Sequence, residues 1–140
     1  MWGYVKQHGS YVYAGNYKAG VELENARFVE VVNGEVKPLA AANSSLKMVV
    51  VEKRVENGLP MVGAIVIGEA DTGVYFNHTI CENPDEVSQF GWKVPAGHYV
   101  RMHQPVKTDE IYMDVTQAVY DSLKIGDAVK AGANGVLVKG

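Results

Sequence analysis

Hydrophobic and polar residues alternate singly along much of this chain. Ile111, Met113 and Val115 interleave with Glu110, Tyr112 and Asp114, a period of two that predicts a half-buried strand over 110–115. Met48-Val49-Val50-Val51 and Ala64-Ile65-Val66-Ile67 are apolar on both faces. They read as central strands, or as strands whose second face meets a partner. Turn signals punctuate the pattern. Asn-Gly occurs at Asn33-Gly34, Asn57-Gly58 and Asn134-Gly135, each time between valine-containing segments. This dipeptide supplies the two positive-φ residues that a two-residue type I′ loop needs. The three turns predict hairpins that pair 29–32 with 35–39, 49–55 with 61–67, and 128–131 with 136–139. Pro60 is expected to delay the strand after the second turn. Less regular segments at 11–13, 21–23, 74–77, 91–94 and 99–103 complete the set of expected strands. Helical signal is confined to two short places. Asn83 as N-cap with Pro84 at the first helical position opens one over 83–87. Val119 and Leu123, four apart, mark the other over 116–123. Residues 40–45, small and polar, read as a loop.

Composition strengthens the strand reading. The 140 residues hold 23 valines against 6 leucines, with 15 glycines and 8 tyrosines. Valine is stiff at χ1 and suits a pleated surface better than a helix. The expected fold class is all-β, or mostly β with one or two short helices. The length gives room for one β-rich domain over 1–140. Residues 1–20 read as either an N-terminal arm or a strand that completes the sheet. A content of 47% hydrophobic and 21% charged residues excludes extended disorder. No apolar run approaches the ~20 residues of a membrane helix. The start of the chain lacks the n- and h-regions of a signal peptide. A net charge of −3 argues against nucleic acid as the main partner.

Candidate chemistry is thin. The histidines are His8, His78, His98 and His103. His98 and His103 are five apart, so a continuous strand points them to opposite faces and one metal ion does not reach both. Cys81, the single cysteine, excludes an internal disulfide and a Cys-rich zinc site. With His78 three residues before it, Cys81 has the spacing of a thiolate nucleophile. No Gly-rich oxyanion loop or helix N-terminus follows it, and a half-buried structural cysteine is the plainer reading. Asn77-x-Thr79 and Asn43-x-Ser45 match the glycosylation pattern and read as chance matches. Asp109 and Glu110 are adjacent and face apart on a strand. Glu69 and Asp71 share a face near a turn as solvated loop residues. Phosphate-binding glycine motifs and the Gly-x-Ser-x-Gly elbow do not occur. The expectation is a protein that is not an enzyme, with no catalytic, cofactor-binding or metal residues. Leu123 to Gly132 is similar to the hairpin of biotinyl and lipoyl carrier domains. Only 136–140 follow Gly135, however, so Gly126-Asp127 reads as a structural turn.

The N-terminal aromatics offer the better lead. Trp2, Tyr4, Tyr11, Tyr13 and Tyr17 form the candidate protein-interaction patch, since aromatic rings give large contact area at low rotamer cost. Trp2 with Tyr4, and Tyr11 with Tyr13, share a face if extended. The same rings equally suit the roof of a core.

An ordered set of motifs fills about the last fifty residues. Val94-Pro95-Ala96-Gly97-His98-Tyr99-Val100-Arg101 is followed by the strand at 111–115. Leu123-Lys124-Ile125-Gly126-Asp127-Ala128-Val129 comes next, and Ala131-Gly132-Ala133-Asn134-Gly135-Val136-Leu137-Val138 closes the set. In this order the chain resembles the head decoration, or capsid cement, proteins of tailed bacteriophages. The resemblance implies a compact β-barrel or β-tulip-like domain with hairpin turns. It also implies a structural virion protein that binds the outer capsid surface and bridges neighbouring major capsid subunits. The major capsid protein is the implied partner and a homotrimer the implied assembly. The implied site is the capsid surface, after synthesis in the host cytoplasm, with no catalytic residues to carry over. Two other readings remain from the residues. One is a carbohydrate- or peptide-binding β module of a phage tail or receptor-binding component. The other is a small enzyme built on Cys81, His98 or His103.

Overall fold

β-branched residues and glycine turns pair here into two six-stranded sheets among the described residues. The computed structural model describes residues 3–6, 12–14 (backbone only), 16–68, 72–78 and 93–140. The first sheet has the order β1 (Gly3–Lys6), β12 (Glu110–Asp114), β8 (Leu59–Val66), β7 (Asn43–Glu56), β13 (Ala128–Ala131), β14 (Leu137–Lys139). All its pairings are antiparallel. The second has the order β2 (Val12–Ala14), β11 (Met102–Gln104), β9 (Tyr75–Asn77), β5 (Arg27–Val32), β6 (Glu35–Pro38), β3 (Lys18–Ala19). A small pair, β4 (Leu23–Glu24) with β10 (Lys93–Val94), stands apart from both.

The second sheet curls back on itself. Strand β3 pairs parallel with β6, and its other edge meets the segment leading into β11. Ala19 N–H donates to the His98 carbonyl at 2.9 Å, Gly97 N–H to Ala19 at 2.8 Å, and Val100 N–H to Tyr17 at 3.0 Å. Ala19, Val29, Val36, Val100 and Met102 fill the inside of this curl, with Leu23 and Val94 brought in by β4 and β10. Alternation then turns Phe28 and Phe76 outward. They meet edge to face at 5.7 Å and join the larger core against the first sheet. Leu46, Met48, Val50, Val62, Ala64, Val66, Ile111 and Met113 supply the facing side of that core. The compact all-β fold expected from composition is the fold observed, a curled barrel-like sheet with a second sheet packed on its outer wall.

Two Asn-Gly turns have the expected form. Asn33 and Gly34 join β5 to β6, Asn57 and Gly58 join β7 to β8, and all four have positive φ. At the second turn Glu56 pairs with Leu59, so Pro60 sits where its missing N–H would face away from β7. The strand therefore begins at Leu59 rather than after Pro60. The third hairpin pairs 129–131 with 137–139 as expected, but its loop differs. Ala133–Gly135 forms a 3-10 turn, closed by Gly132 N–H donating to Val136 at 2.7 Å.

Three other expectations need correction. The segment 40–45 is not wholly loop, because β7 starts at Asn43 and its first residues pair with β13. The strand at 110–115 is buried on both faces: Tyr112 is 6% exposed and Asp114 9%. The reason is that β1 and side chains of β7 cover its second face. The helix expected over 116–123 is α1 (Gln117–Ser122), with Thr116 Oγ1 accepting from Val119 N–H as N-cap. The helix expected over 83–87 lies outside the described residues. No described helix is long and apolar enough to cross a membrane.

Candidate docking surface and barrel-mouth cleft

Strand β1 brings Tyr4 beside Tyr112 of β12, directly opposite in the register. Their rings stack at 4.6 Å and 14°. Glycine at position 63, opposite Tyr112 on β8, leaves room for that ring, because a Cβ there would collide with it. Arg54 of β7 lies over both rings, 5.7 Å from Tyr4 and 5.4 Å from Tyr112, and donates to the Tyr4 hydroxyl. It also pairs with Glu56 at 3.0 Å and Glu52 at 3.4 Å. The Tyr112 hydroxyl donates to Glu110 at 2.7 Å. Burial, and then this bond to a carboxylate, push the Tyr112 phenol well above its ordinary range, so it stays protonated. Tyr4 therefore belongs to a staple across four strands, and its ring is occupied.

The exposed aromatic surface lies elsewhere. Tyr99 is 62% exposed on the wall of the curl, opposite Lys18 in the bridge that closes it. The Lys18 ammonium sits 5.1 Å from the Tyr99 ring centroid, a cation–π contact. The turn before it, through Pro95 and positive-φ Gly97, is closed by His98 N–H donating to Pro95 at 3.1 Å. Tyr99 thus stands on a backbone bonded on both sides of it. Tyr17, one residue before Lys18, is 39% exposed.

At the open end of the curl is a cleft of about 360 Å³, lined by Glu22, Leu23, Glu24, Arg27, Val29, Pro38 and Asn134. Arg27 forms its back wall and ties the two sheets together. Its two terminal nitrogens donate to the two oxygens of Asp114 on β12, at 3.0 and 3.1 Å. Its NH1 also reaches the Ala26 carbonyl at 2.9 Å, and its Nε faces Glu24 at 3.5 Å. Both members of the Arg27–Asp114 pair are nearly buried. The bidentate geometry uses the guanidinium fully.

His103 on β11 is buried and meets Phe76 edge to face at 6.0 Å. Burial first, and His78 second, push its pKa below the ordinary value, while Asp109 pulls it the other way. The sign of the pH effect follows. Above about pH 7.5 both folded and unfolded chains hold the imidazole neutral, and it adds no pH dependence. As the pH falls below about 6.5, the unfolded chain takes up a proton that the fold resists, so stability declines until the lower folded value is passed. The urea midpoint is expected to drop between about pH 7.5 and 5.5, and His103→Phe to flatten that drop. An unchanged slope in the variant would assign the titration to other groups.

Of the residues singled out by sequence, Trp2 and Tyr11 lie outside the described residues, as do His8, Glu69, Asp71 and Cys81. Tyr13 lies in β2 opposite His103, with only its backbone described. His98 is half-buried in the turn before Tyr99, and His103 sits in the wall beside Phe76. Asp109 is buried and accepts from Val106 N–H at 3.1 Å, shaping the loop before β12. Asn77 is buried and its amide donates to the Glu24 carbonyl at 3.1 Å, which removes it as a glycosylation acceptor. Among the described residues no group of three His, Cys, Asp or Glu side chains comes together as a metal site. Sequence reasoning missed Tyr99 and the cleft. Tyr99 stood inside a quoted motif, flanked by a Pro-Ala-Gly turn that exposes it. Leu23, Arg27 and Asn134 are joined only by the tertiary fold. No protein-family model, curated protein or solved structure matches this chain.

Proposed function

We propose that this chain is a structural virion protein of a tailed bacteriophage that docks on the outer capsid surface and bridges neighbouring major capsid subunits. The reading rests on the ordered motifs of residues 94–138 and on one structural observation. Tyr99, within the first of those motifs, stands exposed on a backbone hydrogen-bonded to its neighbours and beside the Lys18 cation. A rigid tyrosine loses little freedom on binding and anchors protein interfaces well. A clamp that binds the assembled lattice better than free subunits stabilises the shell by mass action. Small contributions from many copies then add up.

The test is binding to undecorated heads of the phage that encodes the chain, followed by sedimentation. Wild-type protein is expected to saturate the shells. Tyr99→Ala is expected to bind about tenfold more weakly. Its own stability should stay within about 0.5 kcal/mol, since the side chain is at the surface. Equal binding by the variant would remove Tyr99 as the anchor, and no binding by wild type would end the proposal.

A further inference from the structure

The cleft at the mouth of the curl has a floor and a rim of different chemistry. Leu23, Val29 and Pro38 form an apolar floor. Glu22 and Glu24 stand at the rim, with side chains 64% and 43% exposed. The one cation in the wall, Arg27, is engaged on both terminal nitrogens by Asp114. Lys93 approaches Glu22 only at 3.8 Å and at the surface, where such a pair is weak. The carboxylates of Glu22, Glu24 and Asp114 outnumber the cations of Arg27 and Lys93. The opening therefore presents negative charge above an apolar floor.

That combination selects its occupant. An anion would meet two carboxylates of its own sign. A neutral apolar group would fill the floor but strip water from those carboxylates without replacing it. A long aliphatic stem ending in a cation satisfies both parts, with methylenes on the floor and the charged head at the rim. At about 360 Å³ the space lies at the small end of ligand pockets, which run from about 300 to 1,000 Å³, and suits one side chain. The geometry points to this cleft as the receptor for a single arginine or lysine side chain presented by another protein. Arginine fits better, because its planar fork can take carboxylate oxygens in pairs. The choice of a protein as the bearer of that side chain rests on the docking role proposed above; the chemistry of the cleft does not.

The test uses the full chain, isotope-labelled for NMR, and two small probes. N-acetyl-arginine methylamide carries the charge, and N-acetyl-citrulline methylamide has the same stem and shape without it. The arginine probe is expected to shift the amides of Leu23, Val29 and Asn134 and to bind at least tenfold more tightly than the citrulline probe. Glu22→Lys, at an exposed position that leaves the fold intact, is expected to remove that preference. Glu24→Gln should reduce it while Asp114 still holds Arg27. Equal binding of the two probes, shifts elsewhere on the chain, or an unchanged preference in Glu22→Lys would overturn the inference. The head-binding assay is a separate readout. Wild-type binding to heads with no probe in the cleft defeats this inference and leaves the docking role standing. Probe binding with no attachment to heads defeats the docking role and leaves the cleft as a site for a basic group.

Discussion

Replacing Asp114 with alanine is expected to destabilise the fold by about 3 kcal/mol, read as a lower urea midpoint at neutral pH. The side chains of Arg27 and Asp114 are only 10% and 13% exposed. Removing the carboxylate leaves a guanidinium that the fold has already taken out of water. Glu24 faces its Nε at 3.5 Å and gives partial compensation, which places the loss at the lower end of the range for broken buried pairs. The double variant Arg27→Met with Asp114→Leu separates the penalty of a lone charge from the worth of the pair. It is expected to lie much closer to wild type, because two apolar side chains leave no stranded charge. A double variant as unstable as Asp114→Ala would mean that the pair itself holds the sheets together.

Gly135→Ala is expected to cost a similar amount, about 3–4 kcal/mol, from two sources. Gly135 has a φ of +80°, where an alanine is strained by about 1–2 kcal/mol. Its missing Cβ also faces the backbone of Phe28, and a methyl group there would collide with the Phe28 carbonyl oxygen. Backbone yields less readily than the end of a flexible side chain, so overpacking adds about 1–3 kcal/mol. The comparison is Gly34→Ala. That glycine has a φ of +78° but open space around its would-be Cβ, so only the conformational part applies. Thermal unfolding of the two variants should show a clearly larger loss at 135. Equal losses would mean that the 3-10 turn moves away from Phe28 at little cost.

These two sites also show what the sequence makes legible. The Asn-Gly hairpins at 33–34 and 57–58 are local, because turn residues and flanking valines lie within a few positions of each other. The third Asn-Gly was readable as a turn but not as a three-residue 3-10 loop, since docking against Phe28, over a hundred positions away, sets its form. The burial of Tyr112 and Asp114 was hidden for the same reason. Alternation at 110–115 marks one face as apolar, and it says nothing of what covers the other. That cover comes from Tyr4, Arg54 and Arg27, each on a different strand. Arg27 and Asp114 are 87 residues apart. Parallel pairing of β3 with β6, and closure of the curl at Lys18 and Tyr99, leave no periodic trace in such short strands. The cleft is assembled from β4, β5, β6 and the turn before β14, so no single motif announces it.

The most direct test of the docking account is electron microscopy of purified virions of the encoding phage, with mass spectrometry of the same particles. The account requires this chain in the particles, with a β-rich density of about its 15.2 kDa on the outer face of the shell, spanning two capsid subunits through the Tyr99 wall. Absence of the chain from purified particles, or its density on the inner face, would contradict it.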